Sequence, residues 1–316
     1  MSGNTDSAFW PELSYEKDHA TFATLHLMTQ VVGKVRLAQT PWVNHSWHVP
    51  LYLGARGLET SLIPHRNGAF DMAFDFVTSR LDVRTTAGAA GSLRLEAGSI
   101  AEFHGGVLAL LKECGVPVRI NGMPNEIADA VPFAKDTAAR DYDPAAVRRL
   151  WRALLRIDDV LKRFRSGFLG KASPVHFFWG SFDLATTRFS GRPAPPHPGG
   201  VPNMPDAVAR EAYSHEVSSA GFWSGGPSAP YPMLYAYAYP EPKGFRAATG
   251  LPAGARFDEA LGEYVMPYEA VRNAADPDAT ALQFLQATYE AAADAAGWDR
   301  AALECGLGAP RVVRPV

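Results

Sequence analysis

Apolar side chains recur at helical spacing over residues 18–37, where Phe22, Leu25, Met28, Val32 and Val35 mark one face and Asp18 is a candidate N-cap. The pattern then switches to period two. His48–Leu53, Ala69–Val77, Arg80–Thr85 and Ser92–Leu95 read as strands, with TTAGAAGS as a turn. Helical spacing returns over 100–114, between Ser99 and Gly115, and VPVRIN reads as a further strand. Residues 122–142 lose both periods and carry the expected boundary. Asp143-Pro144 then opens a helix to 166, with Val147, Leu150, Trp151, Leu154, Leu161 and Phe164 on its buried face. Six prolines between 193 and 205 exclude regular structure. A short helix over 206–217 precedes a Gly/Pro-rich loop at 221–232. MLYAYAY and EYVMPY read as strands, and 278–296 as an Ala-rich helix.

This arrangement predicts an α+β fold of two similar halves, 1–140 and 141–316, each an antiparallel sheet with helices on one side. The second half carries the long Pro/Gly-rich loops of 190–232, and the two form one compact unit. Motif order also repeats. Gly33-Lys34, Pro41, His45, Trp47 and Arg56 are matched by Gly170-Lys171, Pro174, His176, Trp179 and Arg188. Either an internal duplication with pseudo-twofold packing or coincidence between common residue types explains this. A duplication would favour a site at the junction.

Composition removes several function classes. A formal charge of −3 over 316 residues argues against nucleic acid as a partner. No apolar run approaches the roughly 18 residues of a membrane span. MSGNTDSAFWPEL has no secretory pattern. Cys114 and Cys305 make no disulfide framework, so a cytoplasmic setting is expected. Neither Gly-Lys pair is a phosphate loop, because Arg165 and Ala172, or Met28 and Val35, occupy the positions that need Gly and Ser/Thr. No nucleophile elbow, zinc motif or dinucleotide fingerprint is present, and both the cofactor and the oligomeric state stay open.

The chemistry concentrates in GKASPVHFFWGSFDLATTRFSGR, residues 170–192, where aromatics surround His176, Asp183, Arg188 and Arg192. An apolar segment that keeps charges builds either a buried polar network or a ligand site. Either Asp183 is the neutralising partner of Arg188, or the two arginines are anion ligands. Trp179 and Ser181 lie beside them. His26, Gln30 and Lys34, at i, i+4, i+8, form a polar stripe on the first helix, either its solvent edge or a pocket wall. His45 is a further candidate contact. Glu211 and His215, i and i+4 on the short helix, are a candidate acid–base pair and, more weakly, a metal pair. The leading expectation is an enzyme acting on a small polar or anionic molecule between the halves. In it His176, Asp183, His215 and Glu211 are catalytic, and Arg188, Arg192, Trp179, Ser181, His26, Gln30, Lys34 and His45 bind the ligand. A non-catalytic small-molecule-binding protein, or a structural protein whose polar cluster fixes the fold, is the alternative.

The blocks GKASPVHFFWGSFDLATTRFSGRPAPPHPG, EAYSHEVSSAGFW, TLHLMTQVVGK and NHSWHVPLY resemble a bacterial family of uncharacterised proteins known only as a domain of unknown function. The resemblance spans nearly the whole chain, implies one complete family unit and supplies no catalytic residues.

Overall fold

Ser14, rather than Asp18, opens the first helix: its side chain accepts the Lys17 N–H, and α1 runs Tyr15–Gln39. The computed structural model describes residues 10–66 and 68–314. Asp18 instead pairs with Arg149 at 2.8 Å. From Thr24 to Arg36 α1 is buried almost all round. Val31, Val32 and Val35 sit in the core, and so do Gln30 and Lys34 of the polar stripe, which therefore is not a solvent edge.

β1 (Tyr52–Gly54), β2 (Gly57–Glu59), β3 (Ile63–His65), β4 (Gly68–Asp75), β5 (Arg80–Thr85) and β6 (Ala90–Arg94) form an antiparallel sheet. β2 and β3 lie end to end along β4, Glu59 opposite Ala73 and Ile63 opposite Phe70. Alternation buries Phe70, Met72 and Phe74 of β4 with Leu81 and Val83 of β5. α2 (Ile100–Glu113) packs on β6 and starts with a Ser99/Glu102 capping box, a device worth about 1 kcal/mol. VPVRIN pairs with no strand among the described residues.

After α3 (Pro144–Ser166), capped by Asp143, come β7 (His176–Phe178), β8 (Asp183–Pro193), α4 (Asp206–Ala212), β9 (His215–Trp223) and β10 (Met233–Tyr239). β11 (Arg256–Asp258), β12 (Glu263–Pro267), α5 (Tyr268–Arg272), α6 (Pro277–Ala295) and α7 (Arg300–Leu303) complete the order. The second sheet is antiparallel in the order β11-β12-β10-β9-β8-β7. α3 and α6 cover one face of it, where Arg188 of β8 meets Phe164 and Tyr289.

The fold is thus α+β, with seven α-helices and two six-stranded antiparallel sheets among the described residues. A bridge between Leu51 and Phe177, with both N–H···O distances 2.9 Å, links the two sheet edges. One apolar core runs from sheet to sheet through α1 and α3. An internal duplication is not confirmed. The strand orders differ, Gly33-Lys34 lies inside α1 while Gly170-Lys171 follows α3, and His45 is in a 3-10 turn while His176 is in β7. No helix among the described residues is long and apolar enough to cross a membrane.

Candidate functional site

Strand register assembles the wall of the main cavity. On the sheet face opposite α3 and α6, β8, β9 and β10 align Asp183 with Trp223 and Met233, Ala185 with Gly221 and Tyr235, and Thr187 with Ser219 and Tyr237. Ala236 pairs with Tyr264 of β12, so Glu263 comes beside Tyr237 on that face. α1 contributes Tyr15, Phe22 and His26, and residues 126–127 close the side. Together they line a half-open cavity of about 760 Å³.

Gly221 shapes the wall. A Cβ there would stand 2.2 Å from the Leu184 carbonyl oxygen and 2.8 Å from the Tyr235 hydroxyl. Without one, the Tyr235 ring lies across β9 and its hydroxyl donates to Asp183, as does the Ser181 hydroxyl. Further along, Tyr213 and Tyr237 share a hydroxyl–hydroxyl bond of 2.8 Å, and Thr187 and Ser219 one of 2.9 Å.

Three carboxyls face this space, and protein crowding raises each. Burial raises Asp183, while its two hydroxyl donors favour the ionised form. Glu126 is pushed up to about 7 by desolvation and then by the Asp183 charge. Glu263 is pushed to about 7 by burial, then by Asp183 and Asp258. Glu126 opens onto the cavity, yet its carboxyl oxygen lies 1.9 Å from where a Cβ on Gly180 would be. Only glycine leaves room for it. Glu126 and Phe182, the residue before Asp183, both hold φ at 62°, a conformation rare for side chains of their size.

The buried stripe of α1 holds these elements in place. The His26 imidazole meets the Gly180 carbonyl at 2.8 Å, and burial lowers it to about 4, so it is neutral near pH 7. Gln30 donates to the Asn125 carbonyl at 2.9 Å and accepts the Asn125 N–H at 2.8 Å. Lys34, lowered by burial to about 8, donates to the Asn125 side chain. The stripe therefore grips both the segment presenting Glu126 and the turn presenting Asp183.

No Lys or Arg lines the cavity, and Glu126, Asp183 and Glu263 make no ion pair among the described residues. Nor is any group of three His, Cys, Asp or Glu among those residues placed to hold a metal ion. What the site offers is proton transfer: Asp183, raised by burial against the pull of its two hydroxyl donors, stands beside carboxyls that gain or lose a proton near neutrality.

The expected convergence of Arg188, Arg192, Asp183 and His215 on one pocket does not occur; of the four, only Asp183 lines it. Position 188 is an odd step from 183 along β8 and so lies on the other face. There the Arg188 guanidinium stacks on Phe164 at 3.5 Å and Tyr289 at 4.3 Å and donates to the Phe164 carbonyl, so it forms no ion pair with Asp183. Arg192 pairs with Glu216 at 2.7 Å and donates to the Ala296 and Gly297 carbonyls at the end of α6. His176 is fully buried beside Trp47, Tyr52 and Phe178, and burial lowers it to about 3, which removes it as the titrating group of the cavity. Trp179 is core, its indole donating to Val49 O at 2.9 Å.

The helix expected over 206–217 stops at Ala212, and His215 already belongs to β9, so Glu211 and His215 share no helix face. Glu211 instead accepts the His45 N–H at 2.9 and 3.0 Å. His45 bonds the Ala212 carbonyl through Nδ1 at 2.8 Å, leaving Nε2 to accept from Lys171 at 2.5 Å. The His215 ring stands 5.9 Å from that of His45. This second polar cluster ties α4 to the turn at Asn44–Ser46.

Of the candidates from the sequence, Asp183, Ser181 and His26 line the cavity. Glu126, Glu263, Tyr213, Tyr235 and Tyr237 are additions. The alternation in MLYAYAY already places Tyr235 and Tyr237 on one face; Glu126, in an irregular stretch, has no comparable signal.

No curated protein and no solved structure matches the chain. Residues 10–305 match a family described as a family of unknown function (DUF5996). With nearly the whole cavity lining inside that span, the chain belongs to this family of unknown function, DUF5996.

Proposed function

We propose that the cavity is the active site of an enzyme that transforms a small polar molecule by acid–base chemistry. Asp183 serves as the base, and Glu126 or Glu263 supplies the proton. The observation that carries this is the meeting of Asp183, cradled by Ser181 and Tyr235, with two carboxyls raised to about 7 in one half-open cavity. His26 and His176, both held neutral near pH 7, are not the acid that supplies the proton. The ligand is not an anion: it would meet three carboxyls and no cation in the lining. Free thiols at Cys114 and Cys305 support the reducing cytoplasm as its setting.

The test is an untargeted turnover screen against a pool of small metabolites, read by mass spectrometry. Consumption of one compound by the wild type, lost in Asp183→Asn with circular dichroism unchanged, is the expected result. Equal consumption by that variant overturns the assignment. Compounds that bind without being consumed would make the protein a binder. Because the acid partner must be protonated, the rate is expected to fall as pH rises through about 7.

A further inference from the structure

We propose that the molecule taken into this cavity is an organic amine, bound as its cation against Asp183, Glu126 and Glu263. This rests on the assignment of the cavity as the active site and adds the class of its ligand. Two independent observations carry it.

The first is what the carboxyls lack. Glu126, exposed as a residue but with its carboxyl set against Gly180, and half-buried Glu263 make no side-chain hydrogen bond or ion pair among the described residues. Crowded carboxyls normally acquire donors or a cation, because each costs free energy to desolvate. Here the donors go to Asp183 alone. A cation entering the cavity supplies the missing partner, whereas an alcohol supplies only hydrogen bonds.

The second is the size and lining of the space. No three acidic groups among the described residues are placed around one metal ion, so they do not form a three-ligand site for a compact inorganic cation. About 760 Å³ is the volume of a pocket for an organic molecule. Tyr15, Phe22 and Trp223 line the same volume. Aromatic faces attract an alkylammonium group and pack on its carbon skeleton. No arginine or lysine among the described residues lines the volume to compete for the carboxyls.

The test is isothermal titration calorimetry of the full chain with three probes of similar shape: 2-phenylethylamine, 2-phenylethanol and 3-phenylpropanoate. The amine is expected to bind at least tenfold more tightly than the alcohol, and the acid not to bind. Asp183→Asn, which keeps the shape of the side chain, should weaken the amine about tenfold and leave the alcohol unchanged; Glu263→Gln provides a second variant should the first fail to fold. Alcohol or acid binding as tightly as the amine, amine binding indifferent to both variants, or no binding by any probe overturns the amine assignment. A neutral compound consumed by the wild type and spared by Asp183→Asn would overturn it too while leaving the acid–base site intact, so the two failures are separable.

Discussion

Asp183 looks into a cavity from one side of β8, while Arg188 is sealed between Phe164, Phe168 and Tyr289 on the other. Both charges are almost completely buried. Their surroundings separate them. Asp183 has two hydroxyl donors, neighbouring carboxyls and open volume in front of it. Arg188 has aromatic faces and one carbonyl, with Nε and Nη1 left without partners, and burial lowers it to about 10, so it stays charged. A buried charge by itself therefore marks no site. Open volume and other titratable groups around it do.

The largest expected effect falls on the cavity side. Asp183→Asn should reduce turnover by about 10²- to 10⁴-fold, the usual contribution of a positioned base, without lowering the melting temperature. Retained turnover would erase the contrast. On the sealed side, Arg188→Ala should cost about 2–4 kcal/mol of stability in urea unfolding, because it empties the space between three rings. Arg188→Met should recover most of that loss, since it fills the volume and removes an unpaired charge. Neither variant should change amine binding; a loss of binding in the folded Arg188→Met would place Arg188 at the site after all. Between the two lies Gly221→Ala. The added methyl meets backbone at Leu184 as well as Tyr235, so we expect a loss of about 1–3 kcal/mol and a fall in turnover as the Tyr235 hydroxyl leaves Asp183. Tyr235→Phe should reproduce the second effect without the first.

The same strand shows how far the sequence could be read. The density of aromatics and charges in residues 170–192 pointed to the right stretch of chain, which β7 and β8 occupy. Parity then separates 183 from 188, which makes their pairing untenable on any continuous strand. No single alternation runs from 176 through 183 either, because a turn between β7 and β8 interrupts it, with Phe182 at positive φ. α1 was recognisable from its apolar repeat, but its burial on all sides depends on which elements enclose it, a long-range property that local periodicity does not contain. Glu126 is further still from local rules. It reaches the cavity because Gln30 and Lys34, over ninety positions away in sequence, hold Asn125. The short helix at α4 was overextended because Glu211 and His215 fit helical spacing as well as they fit a helix end followed by a strand.

The smallest expected effect in the wild type is the pH dependence of stability, because the cavity and the buried histidines act in opposition. Glu126 and Glu263 rise from 4.5 to about 7 on folding. The native state therefore holds protons that the unfolded chain has released, and these two groups lower stability as pH rises between those values. His26 and His176 fall from 6.5 to about 4 and about 3, and burial also lowers His45, His48 and His104. For them the unfolded chain binds the extra protons, so their contribution is complete above 6.5 and is lost as pH falls. From 4.5 to 6.5 the two slopes have opposite signs, and the wild-type melting temperature should change little across that window. Replacing both glutamates by glutamine leaves Asp183, also raised by burial, as the cavity carboxyl opposing the histidines, so the double variant should gain more stability than the wild type as pH rises from 4.5 to 6.5. His176→Asn, where it folds, should tilt the curve the other way. Parallel curves for the wild type and the double glutamine variant would show that the cavity carboxyls titrate as they do in water, and would remove the distinction between this cavity and any other polar cleft.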